Sequence, residues 1–360
     1  MGKRIDIHHH IFPGNLRKSE RNQDLGWRTP EENLPWTPQK SLESMDALDV
    51  DIAILSYPAG VPFSSPGSEN KQETRTLNLF AKNLCQEYPD RFGFFASLPD
   101  LRDVQGDPDF DCALDELAFV MDNLHADGIS LSSSYGAGEE AGTVPKDSAP
   151  DKVSHNPRCP SLFLDHTVYL ADDKFDPIWE ELDKRNCVVF LHGTQTPSSN
   201  TYPHPFLGVP ITEAPHETFK AASHLVVTGK KRRYPNVRII LAHMGGTVPF
   251  LAPRVAVLSR HMGSPLTPEE ILEDFKTFYF DVALSAYKTN FDAIKSFIGE
   301  NAHKQLLYGT DFPAVGTDMA RWFTDQMIQY YRDDREGLER VIRGNALDLF
   351  PRFKSRVSKA

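Results

Sequence analysis

The chain has 360 residues, of which 40% are hydrophobic and 25% are charged. These values exclude wholesale disorder and a fibrous repeat, and the length suits one α/β barrel with insertions. The 39 lysines and arginines against 50 aspartates and glutamates leave a net charge of −11, which argues against binding to nucleic-acid phosphates. We interpret the densest basic run, Lys230–Arg233, as the solvated end of a helix, because cations suit helix C-termini.

The spacing of the cysteines, together with the lack of signal-like or membrane-spanning apolar segments, predicts a reducing cellular compartment. The four cysteines are widely spaced and form no CxxC pair, which is typical of a reducing environment. No apolar segment of the kind found in secretory signals follows Lys3 and Arg4, and no later apolar run is long enough to span a bilayer. We expect a cytoplasmic protein that binds neither membranes nor nucleic acids.

Short apolar runs alternate with longer segments of helical period, a pattern typical of repeated βα units around a parallel sheet. The apolar runs predict strands at 4–8, 51–57, 92–98, 128–133, 188–192, 237–243, 278–282 and 306–309. The helical segments predict helices at 72–87, 113–124, 177–185, 213–228, 290–298 and 318–331. Eight strands in this alternation predict a closed (β/α)8 TIM barrel, formed as a single domain by residues 1–360.

Two stretches interrupt this rhythm. Residues 134–165 follow the fourth strand and are rich in Gly, Ser, Pro and Asp, so we expect an inserted loop. Such a loop on the C-terminal side of a barrel either covers the active site or is a plain surface loop. Residues 13–38 follow the first strand and contain Trp27 and Trp36, which either form a pocket wall or pack against the barrel.

Three consecutive histidines lie at the end of the first predicted strand. Because side chains alternate along a strand, His8 and His10 face the same way and His9 faces the opposite way. The C-terminal ends of barrel strands are where active sites lie. A tag remnant would be longer and would not follow an apolar strand directly, and ordinary surface histidines are the other alternative. We expect His8 and His10 to bind a metal ion.

Three further strands lead into a residue that can bind a metal or transfer a proton: His192, His243 and Asp311. Each alone is compatible with a structural histidine or a helix-capping aspartate, but convergence on one barrel rim favours a functional site. Imidazoles with one carboxylate suit a divalent ion such as zinc or manganese. The fourth strand contains no lysine to bridge two metals, so a single ion is expected.

These motifs resemble the amidohydrolase superfamily, and within it the branch of aminocarboxymuconate-semialdehyde decarboxylases. The resemblance covers nearly the whole chain and is carried by His8, His10, His192, the segments 217–230, 243–246 and 309–313, and Arg254. The segments 215–218, 243–251 and 278–281 are most similar to fungal 6-methylsalicylate decarboxylases. The motifs are specific for the branch and less so for the substrate.

The resemblance implies a metal-binding set and a separate catalytic histidine. It implies that His8, His10, His192 and Asp311 bind the ion, while His243 stays off the ion as a catalytic or substrate-binding group. Asp311, shared between ion and substrate, is then expected to deliver a proton to a ring carbon, and His243 to polarise or orient the phenol.

Three more residues receive a role from the resemblance, each with a plain alternative. Glu217 either supports His243 from behind or is a solvated helix carboxylate. Phe312 either stacks on an aromatic substrate or packs in the core. Arg254 matches a carboxylate-binding arginine that some members supply from the neighbouring subunit, which implies a homodimer; its alternative is a helix-surface ion pair.

The resemblance implies a carboxy-lyase whose ligand is a small aromatic carboxylic acid. The expected reaction is the metal-dependent, non-oxidative decarboxylation of an ortho-hydroxylated acid, such as 6-methylsalicylate or a related hydroxybenzoate. Glu43 stands where the semialdehyde decarboxylase itself has an arginine, so a dicarboxylate muconate is not the expected substrate. The alternatives are a metal-dependent hydrolase of a lactone, amide or carbon–carbon bond, with Asp311 as its base, and a catalytically silent scaffold.

Overall fold

Eight strands build one closed sheet in the computed structural model, which describes residues 3–14, 16, 18, 26–58, 67–102, 110–135, 168–194 and 204–357. The strands of the described residues are β1 (Arg4–His10), β2 (Val50–Ser56), β3 (Phe92–Ser97), β4 (Gly128–Ser132), β5 (Ser134–Tyr135), β6 (Val168–Tyr169), β7 (Val188–His192), β8 (Arg238–Leu241), β9 (Tyr279–Asp281) and β10 (Leu306–Leu307). Eight of them pair in the order β1-β2-β3-β4-β7-β8-β9-β10, while β5 and β6 form a separate antiparallel ribbon.

The ends of this sheet meet, so it is a barrel. The amide of Ile7 donates to the carbonyl of Tyr308 (3.0 Å), and the amide of Asp311 donates to the carbonyl of His8 (2.8 Å). The segment after β10 therefore continues beside β1. The predicted (β/α)8 class and its eight strands are confirmed, with boundaries that differ by one or two residues.

Helices cover the outside of the barrel. They are α1 (Pro38–Ala47), α2 (Ser68–Glu87), α3 (Phe110–Asp122), α4 (Asp176–Lys184), α5 (Val209–Val227), α6 (Lys230–Arg233), α7 (Val248–His261), α8 (Pro268–Phe275), α9 (Lys288–Ile298), α10 (Thr317–Tyr330), α11 (Arg335–Glu339), α12 (Asn345–Leu349) and α13 (Lys354–Val357). Short 3-10 turns lie at Glu31–Asn33, Asp173–Phe175, His243–Gly245, Ala302–Lys304 and Pro351–Phe353, and a π turn at Arg340–Gly344. The six predicted helices correspond to α2, α3, α4, α5, α9 and α10.

The prediction missed several helices, among them α7 and α8. The sequence of each of these two helices explains why it was missed. Helix α8 begins with a capping box in which Thr267 and Glu270 bond reciprocally to each other's backbone amides, a signal that the sequence does contain. Helix α7 carries an interior proline, Pro253, which normally argues against a helix. Its buried Ala252 and Ala256 lie four residues apart on one face, so packing against the barrel outweighs the proline.

The interior of the barrel is apolar at its N-terminal end. Ile5, Ile7, Ile54 and Phe190 pack there with the C-terminal Phe350 and other buried residues. A second and larger core lies between strands and helices. The polar site described below is confined to the opposite, C-terminal end of the strands, as in other barrels of this class.

The basic run Lys230–Arg233 corrects one prediction. It forms α6, but Lys230 and Lys231 are buried rather than solvated. The ammonium group of Lys230 bonds to the carboxylates of Asp173 (3.0 Å) and Asp176. Opposite charge from a distant segment therefore draws this lysine inside, which a local charge pattern does not reveal.

Candidate active site

The predicted site residues lie where the strands end. His8 and His10 lie at the C-terminal end of β1, and His192 is the last residue of β7. His243 follows β8, and Asp311 follows β10. Because parallel strands of a barrel all end at the same rim, these five residues come together although they are far apart in the chain.

A shift in strand register aims the first two histidines inward. The pairing of β1 with β2 slips between Asp6 and His9, and such an irregularity changes which face a side chain occupies. Ile7 packs in the barrel interior, and so does the adjacent His8, whose ring centroid lies 4.9 Å from that of Phe190. The shared orientation of His8 and His10 follows the expected alternation, and the register slip turns that shared face toward the barrel interior.

His9 faces away from the cluster, as the alternation predicted. Its Nδ1 lies 3.0 Å from a carboxylate oxygen of Asp6, and its Nε2 lies 2.9 Å from the hydroxyl of Ser41 in α1. Asp6 also accepts a hydrogen bond from the amide of Thr310 (3.1 Å). The pair therefore ties β1 to the loop that carries Asp311.

The donor atoms converge tightly. Nε2 of His8 lies 3.1 Å from Nε2 of His10 and 3.5 Å from Oδ1 of Asp311, and His10 Nε2 lies 3.2 Å from that same oxygen. The ring of His192 is centred 5.2 Å from that of His8. Nε2 of His243 lies 4.0 Å from Oδ2 of Asp311. These side chains share one centre.

Hydrogen bonds through Nδ1 aim the imidazoles of His192 and His243. Nδ1 of His192 donates to the carbonyl of Gly193 (2.7 Å), and Nδ1 of His243 donates to the carbonyl of Ala283 (3.0 Å). Because a carbonyl oxygen only accepts, the proton of each neutral ring lies on Nδ1. The lone pair of Nε2 is then free for a metal ion or for a proton.

Asp281 was not assigned a role from the sequence, yet it organises two of the histidines. Its Oδ2 accepts from Nδ1 of His8 (3.0 Å), and its Oδ1 accepts from the amides of His243 (3.3 Å) and Ala283 (2.9 Å). It is the last residue of β9 and fully buried. The signal that was available is its position: a carboxylate that ends a barrel strand.

The backbone at Asp311 and His243 adopts a rare conformation. Asp311 has φ = 63° and His243 has φ = 55°, in the left-handed region that disfavours residues with a Cβ. Such strain persists where surrounding bonds hold it, and it concentrates at functional sites. Here the bonds from Asp311 to His8 and from Asp281 to His243 hold the two residues in place.

The donor set fits a divalent cation. Two overlapping triads, His8–His10–Asp311 and His8–His192–His243, each have donor atoms within 4.8 Å of one another. Three imidazoles with one carboxylate are ligands that zinc and manganese accept. Nε2 of His8 and Nε2 of His10 lie 3.1 Å apart beside the carboxylate of Asp311, and a shared cation would satisfy all three groups. These residues could therefore hold one divalent ion.

The charge states of His192 and Asp311 favour metal binding, whereas that of His8 opposes it. Burial lowers the pKa of His192 well below its usual value, and the neighbouring histidines add to this. Burial alone raises the pKa of Asp311, but the adjacent imidazoles outweigh it and hold that pKa below its usual value. Burial alone lowers the pKa of His8, but Asp281 and Asp311 outweigh it and raise the pKa to about 9. His8 thus keeps a proton that a metal ion must displace.

A cavity opens beside the cluster. His10, His192, His243 and Asp311 form one end, and its walls are largely apolar. The apolar wall residues are Phe12, Leu16, Trp27, Pro58, Val209, Pro210, Ala214, Leu284 and Ala314, and Lys18, Gly193 and Thr194 also line the cavity. Such a cavity, with a few polar groups at one end, suits a small ligand that has an apolar body.

The two tryptophans of the irregular N-terminal stretch differ in role. Trp27 lines the cavity and donates from Nε1 to the carbonyl of Ala314 (2.9 Å). Trp36 is buried and donates to the hydroxyl of Ser41 (3.0 Å). Trp27 is therefore part of the pocket wall, whereas Trp36 packs against the barrel.

Two predicted site residues, Phe312 and Glu217, are buried but lie outside the cluster. Phe312 is buried in the core, with its ring 5.2 Å from that of His9. Glu217 is buried rather than solvated and accepts from Tyr169 (2.8 Å) and Lys220 (2.6 Å). Their roles toward substrate and toward His243 stay predictions.

Arg254 lies on α7, on an outer groove of the molecule and apart from the cavity of its own chain. Binding of a substrate carboxylate by Arg254 thus stays a prediction that needs a neighbouring subunit. The predicted insertion at 134–165 falls, beyond Tyr135, outside the described residues. Among the described helices, none combines the length and apolarity that crossing a membrane requires.

Comparisons with known proteins find similar sequences over nearly the whole chain. A family model described as Amidohydrolase matches residues 5–352. Decarboxylase macB of Penicillium terrestre is 35% identical over 369 residues, covering 99% of this chain and 97% of that protein. The 6-methylsalicylic acid decarboxylase of Penicillium expansum is 32% identical, with 99% of both chains covered.

A solved structure supports the fold independently. The dihydroxybenzoic acid decarboxylase of Polaromonas sp. JS666, with bound manganese and the inhibitor 2-nitroresorcinol, superimposes with a TM-score of 0.73. It shares 20% sequence identity, and the match covers 98% of this chain and 97% of that chain. At this identity the likeness establishes the barrel fold.

We expect the substitution Asp281→Asn to weaken metal binding about 10- to 100-fold, because outer hydrogen bonds orient metal-binding histidines. The neutral side chain of asparagine has only one accepting oxygen. It therefore cannot replace a charged carboxylate that accepts from His8 and from two backbone amides. Calorimetric titration of manganese into metal-free protein measures the change. Asp292→Asn, on the exposed surface of α9, is the matched control, and equal affinities of the two variants would contradict the role of Asp281.

We also expect metal affinity to rise with pH. The pKa of His8 is raised to about 9, so its proton is present below that pH and must leave when Nε2 binds the ion. Affinity for manganese should therefore increase by about tenfold per pH unit between about pH 6 and 9 and then level off. Titrations in buffers of different ionisation enthalpy count the released proton. An affinity that does not change over this range is the contrary result.

Proposed function

This chain belongs to the amidohydrolase family, and from that membership we propose that it is a carboxy-lyase for an ortho-hydroxylated aromatic acid. The reaction is a non-oxidative, metal-dependent decarboxylation of 6-methylsalicylate or a related hydroxybenzoate. One observation carries the proposal: a buried cluster of histidines and one aspartate forms the polar end of an otherwise apolar cavity. The full-length relatives named above, both decarboxylases, support the reaction type.

The polarity of the cavity matches that of such an acid. A salicylate carries its carboxylate and phenolic oxygen on adjacent ring carbons, so both polar groups lie on one side of the ring. That side faces His10, His192, His243 and Asp311, and the rest of the ring packs against walls that include Trp27. Burying the ring against these walls orients the acid before any chemistry begins.

We assign the metal to His8, His10, His192 and Asp311, with zinc or manganese as the ion. Support for manganese comes from its presence in the Polaromonas decarboxylase. When bound, the ion supplies positive charge that orients the adjacent phenolic and carboxylate oxygens and acts as a Lewis acid. His243 is then left to contact the substrate.

Asp311 is the proposed proton carrier. Its low pKa makes it a carboxylate in the free protein, so the proton must come from the bound acid, and the phenolic hydroxyl is the nearest source. Asp311 takes this proton and adds it to the ring carbon that bears the carboxylate. The carbon–carbon bond then breaks, carbon dioxide leaves, and its electron pair returns to the ring. The phenolate that remains takes a proton from water.

His243 orients the phenol during this transfer. Its Nδ1 is held by the carbonyl of Ala283, so Nε2 points toward Asp311 and the cavity. In its neutral form this nitrogen accepts a hydrogen bond from the phenol, and in its protonated form it stabilises a phenolate. Glu217 keeps its predicted role as a residue that supports His243, whereas Phe312, which is buried against His9, takes its alternative role of packing in the core.

We further propose a homodimer in which Arg254 binds the carboxylate in the neighbouring subunit. Support comes from the surface around it, where Phe250, Val257 and Leu258 on α7, and Met262 directly after it, expose large apolar side chains. Exposed apolar patches mark contacts between proteins. We also propose that residues 1–360 form one domain with an inserted loop at 134–165. The proposed location of the protein is the cytoplasm.

The activity is tested by carbon dioxide release. Protein loaded with manganese or with zinc, incubated with a set of ortho-hydroxybenzoates, should release carbon dioxide and the matching phenol. Protein treated with a chelator should lose this activity and regain it when the metal returns. Hydrolysis of lactones or amides without any release of carbon dioxide would instead establish the hydrolase alternative.

The substitution Asp311→Asn should retain some metal yet lose nearly all turnover, a fall of about 10³-fold or more, because an amide cannot carry the proton. Metal analysis and single-turnover assays measure the two effects separately. Asp318→Asn, near the start of α10 and outside the cavity, is the control. An Asp311→Asn protein with normal turnover would remove Asp311 from the proton step.

A further inference from the structure

Leu284 combines a strained backbone with a side chain that lines the cavity. Its φ is 51°, in the left-handed region that bulky side chains rarely adopt. The other described residues with a positive φ, glycines apart, are Asp49, His125, Asn186, His243, Met244 and Asp311. All of these except Met244, which is buried in the core, belong to the three residue types most often found in this conformation. Among the described residues, Leu284 is thus the one with a positive φ whose side chain is apolar and lines the cavity.

A tight turn gives Leu284 this conformation. The amide of Ser285 donates to the carbonyl of Val282 (3.0 Å), so Ala283 and Leu284 are the two central residues of a four-residue turn. A positive φ at the second central position is typical of turns that have glycine or asparagine there. Leucine is therefore unfavourable for the backbone, and such strain persists where the side chain or the surrounding structure offsets it.

Hydrogen bonds fix the turn to the metal-binding end of the cavity. The amide of Ala283 donates to Oδ1 of Asp281 (2.9 Å), and the carbonyl of Ala283 accepts from Nδ1 of His243 (3.0 Å). The next residue, Leu284, lines the cavity together with His243 and Asp311. The side chain of Leu284 is therefore held on the part of the wall that adjoins His243.

Packing within the protein does not explain the choice of leucine. Val282 and Ala286, which lie two residues to either side, belong to the main apolar core. Leu284 belongs to neither of the two apolar cores that the described residues form, and its side chain is half-buried. Its apolar surface is thus available to a molecule in the cavity.

We propose that Leu284 is a specificity-determining residue, which contacts the ring of the bound acid and selects an alkyl substituent over a hydroxyl group. This inference rests on the proposed function. A methyl group that packs on Leu284 leaves water favourably, whereas a hydroxyl group there gives up hydrogen bonds to water and finds no partner on leucine. Leu284 therefore favours 6-methylsalicylate over 2,6-dihydroxybenzoate, two acids that differ only in this group.

Four variants separate the side chain from the strained backbone. Leu284→Asn keeps nearly the same shape, suits a positive φ and offers a hydroxyl group both a donor and an acceptor. Leu284→Gly removes the side chain and also suits the turn, while Leu284→Met keeps an apolar side chain of similar volume. His125→Asn, at an exposed position with φ = 54°, is the control for a change of residue type at a positive φ.

The experiment compares two pairs of molecules on manganese-loaded protein. Carbon dioxide release gives kcat/KM for 6-methylsalicylate and for 2,6-dihydroxybenzoate. Calorimetry gives the affinities of 3-methylphenol and resorcinol, the phenols that these two acids would leave. The phenols differ in the same methyl or hydroxyl group but have no carboxylate to lose, so their binding reports on the wall independently of the reaction.

We expect the unsubstituted protein to prefer the methyl compound in both pairs. Leu284→Asn should lower this preference about 10- to 100-fold and Leu284→Gly about tenfold, the range over which a hydrophobic wall separates such similar groups. Leu284→Met and His125→Asn should keep the preference. Leu284→Asn should melt within about 3 °C of the unsubstituted protein, because relief of the backbone strain offsets the lost apolar contacts.

The outcomes separate this proposal from the proposed function. Carbon dioxide release with an unchanged methyl preference in Leu284→Asn and Leu284→Gly overturns the role of Leu284 and leaves the decarboxylase intact. A shifted preference between the two phenols, without carbon dioxide release from any acid, overturns the reaction and leaves the role of Leu284 intact. Equal weakening of both phenols indicates a purely structural residue and overturns the proposal, as does a hydroxyl preference, or no binding of either phenol, in the unsubstituted protein.

Discussion

The hydrogen bond that each site imidazole makes through Nδ1 is the interaction on which the rest of the site depends. His8, His192 and His243 each direct Nδ1 to an oxygen that only accepts, so each directs Nε2 toward one centre. Rotation of any ring would break that bond and turn the lone pair away. Two of the acceptors are main-chain carbonyls and the third is the carboxylate of Asp281. The barrel backbone itself therefore sets the geometry of the centre.

This arrangement carries a cost that the fold offsets nearby. Several imidazoles and a carboxylate are removed from water at the same point, and Asp311 also holds a left-handed backbone. Asp6 and Asp281 accept hydrogen bonds from the amides of the loops that carry Asp311 and His243. Buried carboxylates that are fully paired in this way make the rim rigid. Rigidity in turn holds the histidines and Asp311 in position before a substrate arrives, as the proposed reaction requires.

The distribution of polarity around the cavity links this rim to the proposed reaction. In the proposed reaction, the cluster binds the oxygen-rich edge of an aromatic acid and the walls around Trp27 bind the ring. Decarboxylation removes the carboxylate that the cluster and its ion hold, and it leaves a largely apolar phenol. Binding of the acid is therefore favoured over binding of the product by the same groups that orient it for reaction.

The sequence by itself determined the barrel, the ligand types and the convergence of His8, His10, His192 and Asp311, because strand periodicity and strand ends are local properties. The tertiary structure decided which carboxylate aims which ring, since His8 and Asp281 are 273 positions apart. It also decided that Lys230 is buried on distant aspartates, that Lys18 lines the cavity and that a register slip turns two histidines inward. Each of these depends on contacts between separate segments, which no pattern along the chain encodes.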